Sequence, residues 1–257
     1  MSRHPARTPL LVVGAVFAVL GIGWTALNLV IVMARHSASS TSSVAGTVTA
    51  VRVAPSSWCG GSVHVVGEDR TDAALSWKDS WSLARPRHNV TLEGTTLVVR
   101  MSCPASIGWT PAVTLTLRVP RATSLDLRAD DRLSVQGTRG RLKARTDSGS
   151  LTVTDVVGDL DLGTDSGAVR ASGGSAATVQ AHADSGDVRL DLPAVPDAVT
   201  VTTDSGTVRV AVPGTVGYRV GIETDSGSRT VRVRQDSASA HRVTAHTDSG
   251  DVTVLPR

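Results

Sequence analysis

Six aspartates occupy one repeated setting. Asp147, Asp165, Asp184, Asp204, Asp225 and Asp248 are each followed by Ser and Gly. Carboxylates beside Ser-Gly suggest acid–base hydrolysis by two carboxylates that share a proton across a cleft. Carboxylates in series could instead hold a hard cation such as calcium. Both chemistries require the carboxylates to converge. Hydrolysis needs two rather than six, with apolar residues just before each Asp. This chain has Arg-Thr, Gly-Thr, His-Ala, Thr-Thr, Glu-Thr and His-Thr there. The calcium-roll repeat Gly-Gly-x-Gly-x-Asp is absent, and each unit offers one dependable Asp. No catalytic residue, cofactor or metal ligand is assigned, and the motif reads as architecture.

The flanks say what kind. Successive aspartates are 18, 19, 20, 21 and 23 residues apart, a slowly lengthening repeat. Five residues before each Asp stand Leu142, Leu160, Val179, Val199, Val220 and Val243; three before stand Ala144, Leu162, Ala181, Val201, Ile222 and Ala245. Four after stand Leu151, Val169, Val188, Val208, Arg229 and Val252; six after stand Val153, Ala171, Leu190, Val210, Val231 and Val254. Period two on both sides of a turn marks half-buried strands. One unit cannot bury its apolar face alone, whereas stacked units turn each column into an internal ladder. The expected fold is all-β, a parallel β-solenoid (β-helix) of roughly 20-residue coils. At each corner the Asp side chain can bond backbone two residues on. Gly149, Gly167, Gly186, Gly206, Gly227 and Gly250 supply positive φ where the corner needs it. Residues 123–257 form the regular part and 47–122 an irregular capping part. Arg229 breaks an inward column, so a local bulge is expected there, with Val231 and Val233 taking the inward role.

The opening "GGSVHVVG", the strand "LEGTTLVVRM" and the serial "TDSGxVxV" units resemble the bacterial "putative adhesin" family. The resemblance runs from about Trp58 onward. It implies a membrane-anchored β-strand repeat protein, without catalytic residues, engaged in adhesion or envelope contacts.

The N-terminus fits an anchor. Pro9–Ala34 carries no charge, long enough for the 20 or so apolar residues that span a bilayer. A cleaved signal peptide is the rival, with a small-residue site at Ala38–Ser40. Arg3 and Arg7 precede the span and Arg35 follows it, which favours a cytoplasmic tail at 1–8, a transmembrane helix at 9–34 and an outer domain at 47–257. Residues 35–46, rich in Ser, read as a flexible linker. The net charge of +3 equals the three arginines of residues 1–35; without them 23 basic and 23 acidic residues balance. That neutrality argues against nucleic acid as a partner. It leaves the membrane, through the N-terminal helix, and an envelope glycan or protein.

Three further features bear on function. Cys59 and Cys103 lie in a domain placed outside the cytoplasm, where disulfides persist, and pairing is expected. Arg170, Arg189 and Arg209 share the position five after Asp on the outward face. They form either a basic stripe for anionic glycans or lipid headgroups, or a solvated face paired with Asp187 and Asp191. Trp58, Trp77, Trp81 and Trp109 all fall in the capping part, as a cover for the solenoid end or as a binding surface. The leading reading is a non-enzymatic cell-surface scaffold. The alternative is a sensory ectodomain acting with a membrane partner. A polysaccharide lyase or hydrolase would need clustered acids with Lys or Arg on one face, and no such cluster is evident.

Overall fold

The computed structural model describes residues 16–26, 35–55, 59–104 and 111–257. Residues 16–26 are helical. The rest of the expected span at 9–34 lies outside the described residues, and among those described no helix is long and apolar enough to cross a membrane.

The expected strand–corner–strand units are present. The chain first forms β1 (His36–Val44), β2 (Ala50–Pro55), β3 (Gly60–Glu68), β4 (Ala73–Trp81), β5 (Arg87–Glu93), β6 (Thr96–Ser102) and β7 (Ala112–Pro120). Strand pairs follow: β8 (Ser124–Ala129) with β9 (Arg132–Gln136), β10 (Leu142–Thr146) with β11 (Leu151–Thr154), and β12 (Leu160–Ser166) with β13 (Val169–Ser172). Next come β14 (Thr178–Ser185) with β15 (Val188–Asp191), and β16 (Ala198–Ser205) with β17 (Val208–Val212). The last are β18 (Arg219–Ser226) with β19 (Arg229–Val231), and β20 (Arg242–Ser249) with β21 (Val252–Pro256).

First strands stack in one sheet and second strands in the other. The inward columns are therefore continuous. Leu133, Leu151, Val169, Val188, Val208 and Val252 are successive register partners in one sheet. Leu125, Leu142, Leu160, Val179, Val199 and Val243 are successive partners in the other. All are buried. Because side chains alternate across a strand, each interleaved residue faces outward.

The order of stacking departs from the order of sequence at both ends. The two sheets run β1-β4-β7-β3-β9-β11-β13-β15-β17-β21-β19 and β18-β20-β16-β14-β12-β10-β8-β2-β6-β5. The final coil, β20 and β21, is inserted between β16/β17 and β18/β19. Likewise β2 and β3 sit between β8/β9 and β6/β7. Each terminal coil thus pairs on both edges, which spares it the exposed backbone groups of an edge strand. The two longest repeat intervals, 21 and 23 residues, flank the outermost coil, β18 and β19. This extra length carries the chain across one rung and back. Tyr218, fully buried, braces the first of these steps by donating its hydroxyl to the Pro213 carbonyl at 3.0 Å.

The inversion explains Arg229. No bulge occurs: Arg229 stands in register with Val252. It is tolerated because β19 is the outermost strand of its sheet. Among the described residues no strand pairs beyond it, and the side chain turns out, its guanidinium donating to the Thr224 carbonyl at 2.8 Å. Val233 is buried and Val231 only partly so.

Two boundaries also change. The stretch read as a flexible linker at 35–46 contains β1, paired antiparallel with β4 from His36↔Trp81 to Val44↔Ala73. Its Ser/Thr side chains bury little, as their polarity implies, but the free edge of β4 satisfies the backbone. Nor is all of 47–122 irregular. β2, β3, β6 and β7 continue the ladders in register, with Val51 on Leu125, Val63 on Leu133 and Val65 on Leu117. Among the described strands β1, β4 and β5 have antiparallel partners alone and form the cap proper.

The coil order is directly testable. Val254→Asp places a charge in an inner coil and should cost several kcal/mol. Val231→Asp, earlier in sequence but in the outermost coil, should cost about 1 kcal/mol. Denaturant midpoints give the ranking, and the opposite ranking would return the coils to sequential stacking.

Candidate functional site

The corner is held by different atoms from those expected. All six aspartates of the motif are exposed. Among the described residues none accepts a hydrogen bond from the backbone two residues on. The amides that would donate are taken by the adjacent coil: Gly186 N–H bonds Ser205 O, Gly206 bonds Ser249 O and Gly250 bonds Ser226 O, at 2.9–3.0 Å. The residue before the Asp does the holding. Thr146, Thr164, Thr203, Thr224 and Thr247 are buried. Their hydroxyls donate to glycine carbonyls at 3.1–3.4 Å, and all but Thr146 reach across to the glycine of the adjoining coil. Period two placed this position on the inward face, with the columns three and five before Asp. That signal was available in the sequence.

The glycines are required by space more than by φ. A Cβ on Gly167 would overlap the carbonyl oxygen of Gly149, and one on Gly186 that of Gly167. Corner lies on corner too closely for any side chain.

These carboxylates are spread one per coil along an outer corner, an arrangement that does not bring two together across a cleft. Among the described residues no cluster of three or more His, Cys, Asp or Glu could hold a metal. Two aspartates have imidazole partners: His182 with Asp184 at 2.8 Å and His246 with Asp248 at 3.1 Å. Asp130 begins the column from the shortened corner of β8 and β9. Burial, then the charges of Asp147 and Asp131, pushes its carboxyl up to about 6.

The three arginines form a stripe. Arg170 partners Arg189, and Arg189 partners Arg209, on consecutive strands of one outer face. The acids expected to neutralise them are engaged elsewhere: Asp187 accepts from the Thr207 amide at 2.9 Å, and Asp191 pairs with Arg257 at 2.8 Å. Among the described residues Arg170, Arg189 and Arg209 form no ion pair.

The cap is pinned covalently. Cys59 and Cys103 form a disulfide, with Cα atoms 5.1 Å apart and a sequence separation of 44. The bridge closes a loop that holds β4 and β5, and chain entropy assigns such a closure about 3–4 kcal/mol. Trp77 is buried inside this cap, edge-on to His88 at 4.0 Å. Trp58 and Trp109 lie outside the described residues. Sequence reading missed Asp79, which is buried and 3.0 Å from His88. Burial outweighs their attraction, raising the Asp79 carboxyl and lowering the His88 imidazole from their usual values. Asp79 continues the inward series Ala73, Leu75, Trp77, so an acid in an apolar column was the signal.

Two outcomes follow from the corner. Thr203→Val should cost about 1 kcal/mol by leaving the Gly186 carbonyl without its donor. Asp204→Asn should change stability by less than about 0.5 kcal/mol. Denaturant midpoints compare them, and a costlier Asp204→Asn would return the corner to the carboxylate. Asp130 gives a pH dependence. Its folded value near 6 exceeds the 3.8 of an ordinary Asp, so between these values the folded chain binds more protons than the unfolded one. Stability falls as pH rises through that window and stays lower above it. Asp130→Asn should therefore stabilise at pH 7.5 by on the order of 1 kcal/mol, after allowance for solvent screening, with no gain below the window. Unfolding curves at both pH values check this, and a less stable variant at pH 7.5 would show that the carboxylate is satisfied as an anion.

No curated protein matches the chain. Similar solved structures include a "putative adhesin" from Bacteroides fragilis, 11% identical, covering 86% of this chain and 97% of that one with a TM-score of 0.46. A "putative lipid binding protein" from Parabacteroides distasonis is also 11% identical, covering 84% and 96%, at TM-score 0.49. A "putative cell adhesion protein" from Clostridium sporogenes is 10% identical, covering 86% and 100%, at TM-score 0.40. The sequence family Toastrack DUF4097 matches residues 106–255, which includes all six Asp-Ser-Gly corners. With more than half of its length matched, the chain belongs to the Toastrack DUF4097 family.

Proposed function

We propose that this chain is a non-enzymatic scaffold of the adhesin type, held in the membrane by residues 9–34, with its β-domain outside the cell and in contact with the envelope. The observation that carries the reading is the display of side chains. Successive coils present outward residues in register at a strand spacing of about 4.8 Å. The polar groups of the repeat units are laid out in lines along faces and corners. Such a surface suits an extended partner better than a small substrate bound and turned over in a cavity. The uncharged run at Pro9–Ala34 and the arginines before it support the anchor and its orientation. The disulfide supports an oxidising compartment.

Protease added to intact cells tests the arrangement. Degradation of the β-domain, leaving a small membrane-embedded N-terminal fragment, is the expected result. Complete protection would reverse the orientation, and a soluble mature chain beginning near Ser37–Ser42 would replace the anchor with a cleaved signal. Co-sedimentation of the full chain with isolated envelope tests contact itself, and a chain that stays in the supernatant would overturn the scaffold.

A further inference from the structure

We propose that Arg170, Arg189 and Arg209, with the hydroxyl residues that continue their column, form a binding site for a linear acidic polysaccharide whose carboxylates the guanidinium groups take rung by rung. The inference rests on the scaffold reading and names the class of its partner.

The first observation is register. The three guanidinium-bearing residues are direct partners on adjacent parallel strands. Like charges placed directly opposite destabilise a sheet. One column of the other sheet avoids the problem. There the equivalent outward column runs Arg52, Asp126, Lys143, Asp161, alternating in sign. It is laced by Arg52–Asp126 at 3.5 Å and by Arg145–Asp161 at 2.6 Å. Like the aspartates of the corners, the three arginines are a stack of one sign, and the acids nearest them are bonded to the Thr207 amide and to Arg257. With one acid, Asp187, lining the same groove and no close ion pair of their own among the described residues, the three stacked cations leave charge open to an external anion.

The second observation is what lies above and below. The same column continues through Thr152, Ser134 and His64 on one side, and through Thr253 and Thr230 on the other. It is a line of hydrogen-bonding groups with a cationic centre, running across the strands along the stacking direction. Guanidinium groups grip carboxylates in two-point contacts, and Thr and Ser hydroxyls exchange hydrogen bonds with sugar hydroxyls. A polyuronate offers both, with a carboxylate on successive sugar residues at a spacing comparable to one rung.

The third observation is shape. The groove at the stripe is shallow, about 230 Å³, and lined by Arg170, Asp187, Arg189, Thr207, Arg209 and Thr253 among others. A chain laid along the face fits such a surface. A bilayer fits it poorly: among the described residues the large exposed apolar side chains are those of the N-terminal helix, Leu83 and Val157, none of them beside the stripe. Overall charge does not supply the attraction, since residues 36–257 carry equal numbers of basic and acidic residues.

The test uses the full chain in detergent micelles, with polygalacturonate as the probe. Binding is measured at low and physiological ionic strength. It is compared for the native chain, the triple variant R170Q/R189Q/R209Q and a charge-matched control, R100Q/R128Q/R242Q, on the opposite sheet. The native chain and the control should bind alike, more weakly as salt rises. The triple variant should lose about tenfold or more in affinity and most of the salt dependence. It should also unfold no earlier than the native chain, because it removes repulsion. Absence of binding by the native chain, or equal losses in the triple variant and the control, would overturn the site. Equally tight, stripe-dependent binding of inorganic polyphosphate or of phosphatidylserine vesicles would overturn the glycan assignment. Envelope co-sedimentation of the same variants separates the two readings. If the triple variant still sediments while polygalacturonate fails to bind, the stripe is rejected and the scaffold stands.

Discussion

One close approach governs this molecule: at each Asp-Ser-Gly corner a backbone carbonyl of the adjoining coil, a glycine's at all but Gly149, lies against the glycine where a side chain would sit. Strand spacing is set by the backbone hydrogen bonds between coils, and the corner has to close at that same spacing. A Cβ would hold two corners apart and pull the flanking rungs out of register. The buried threonines then make the approach favourable, because a carbonyl pressed into the interior needs a donor and their hydroxyls supply it. Once corners stack, the inward valines and leucines fall onto one another without further instruction. The hydrophobic ladders are thus a consequence of corner geometry as much as its cause.

The two ends obey a different constraint. A stack of parallel coils has two open faces, and a chain terminus placed on either would present a loose edge strand. Here the first parallel coil, β2 and β3, is enclosed between β8/β9 and β6/β7, and the last coil between β16/β17 and β18/β19. The outermost coils are made tolerant of solvent in separate ways. At the far end, Arg229 stands where the other coils carry an inward valine or leucine, and it turns out. At the near end, β1, β4 and β5 switch to antiparallel pairing, closed over by the disulfide and by Trp77 against His88. The Asp79–His88 pair replaces apolar packing at the inward position of β4 that follows Trp77.

The two outer faces handle charge in opposite ways. One alternates sign along the column Arg52, Asp126, Lys143, Asp161, with ion pairs at Arg52–Asp126 and Arg145–Asp161. The other carries three arginines in succession. Since both faces share a spacing and a register, the difference lies in residue choice rather than in the fold. A solenoid amplifies such choices: one substitution per coil becomes a line of chemistry several rungs long.

What the sequence by itself determined is the local pattern. Period two around Asp-Ser-Gly specifies strand, corner and strand, because alternation assigns each side chain to one face whatever lies beyond. The inward columns at Leu142, Leu151 and their equivalents were legible for that reason, as was the alignment of Arg170, Arg189 and Arg209. The pairing of Cys59 with Cys103 followed from the chain holding two cysteines in one part of the domain. The order of the coils was not legible. In sequence order the next residue of the inward column after Val208 is Arg229, yet Val208 stacks on Val252. The charge on Arg229 was the one local hint that the fifth unit ends the stack, since an outermost strand is where an inward arginine can turn out to solvent. Nor could the Ser-rich stretch at 36–44 announce itself as a strand, since it brings almost no apolar surface and depends wholly on the edge that β4 presents. The tertiary structure decided these points because they concern which backbone edge is free when a strand arrives. The residues of a strand state which face turns inward; they say little about which of several equivalent edges will receive it.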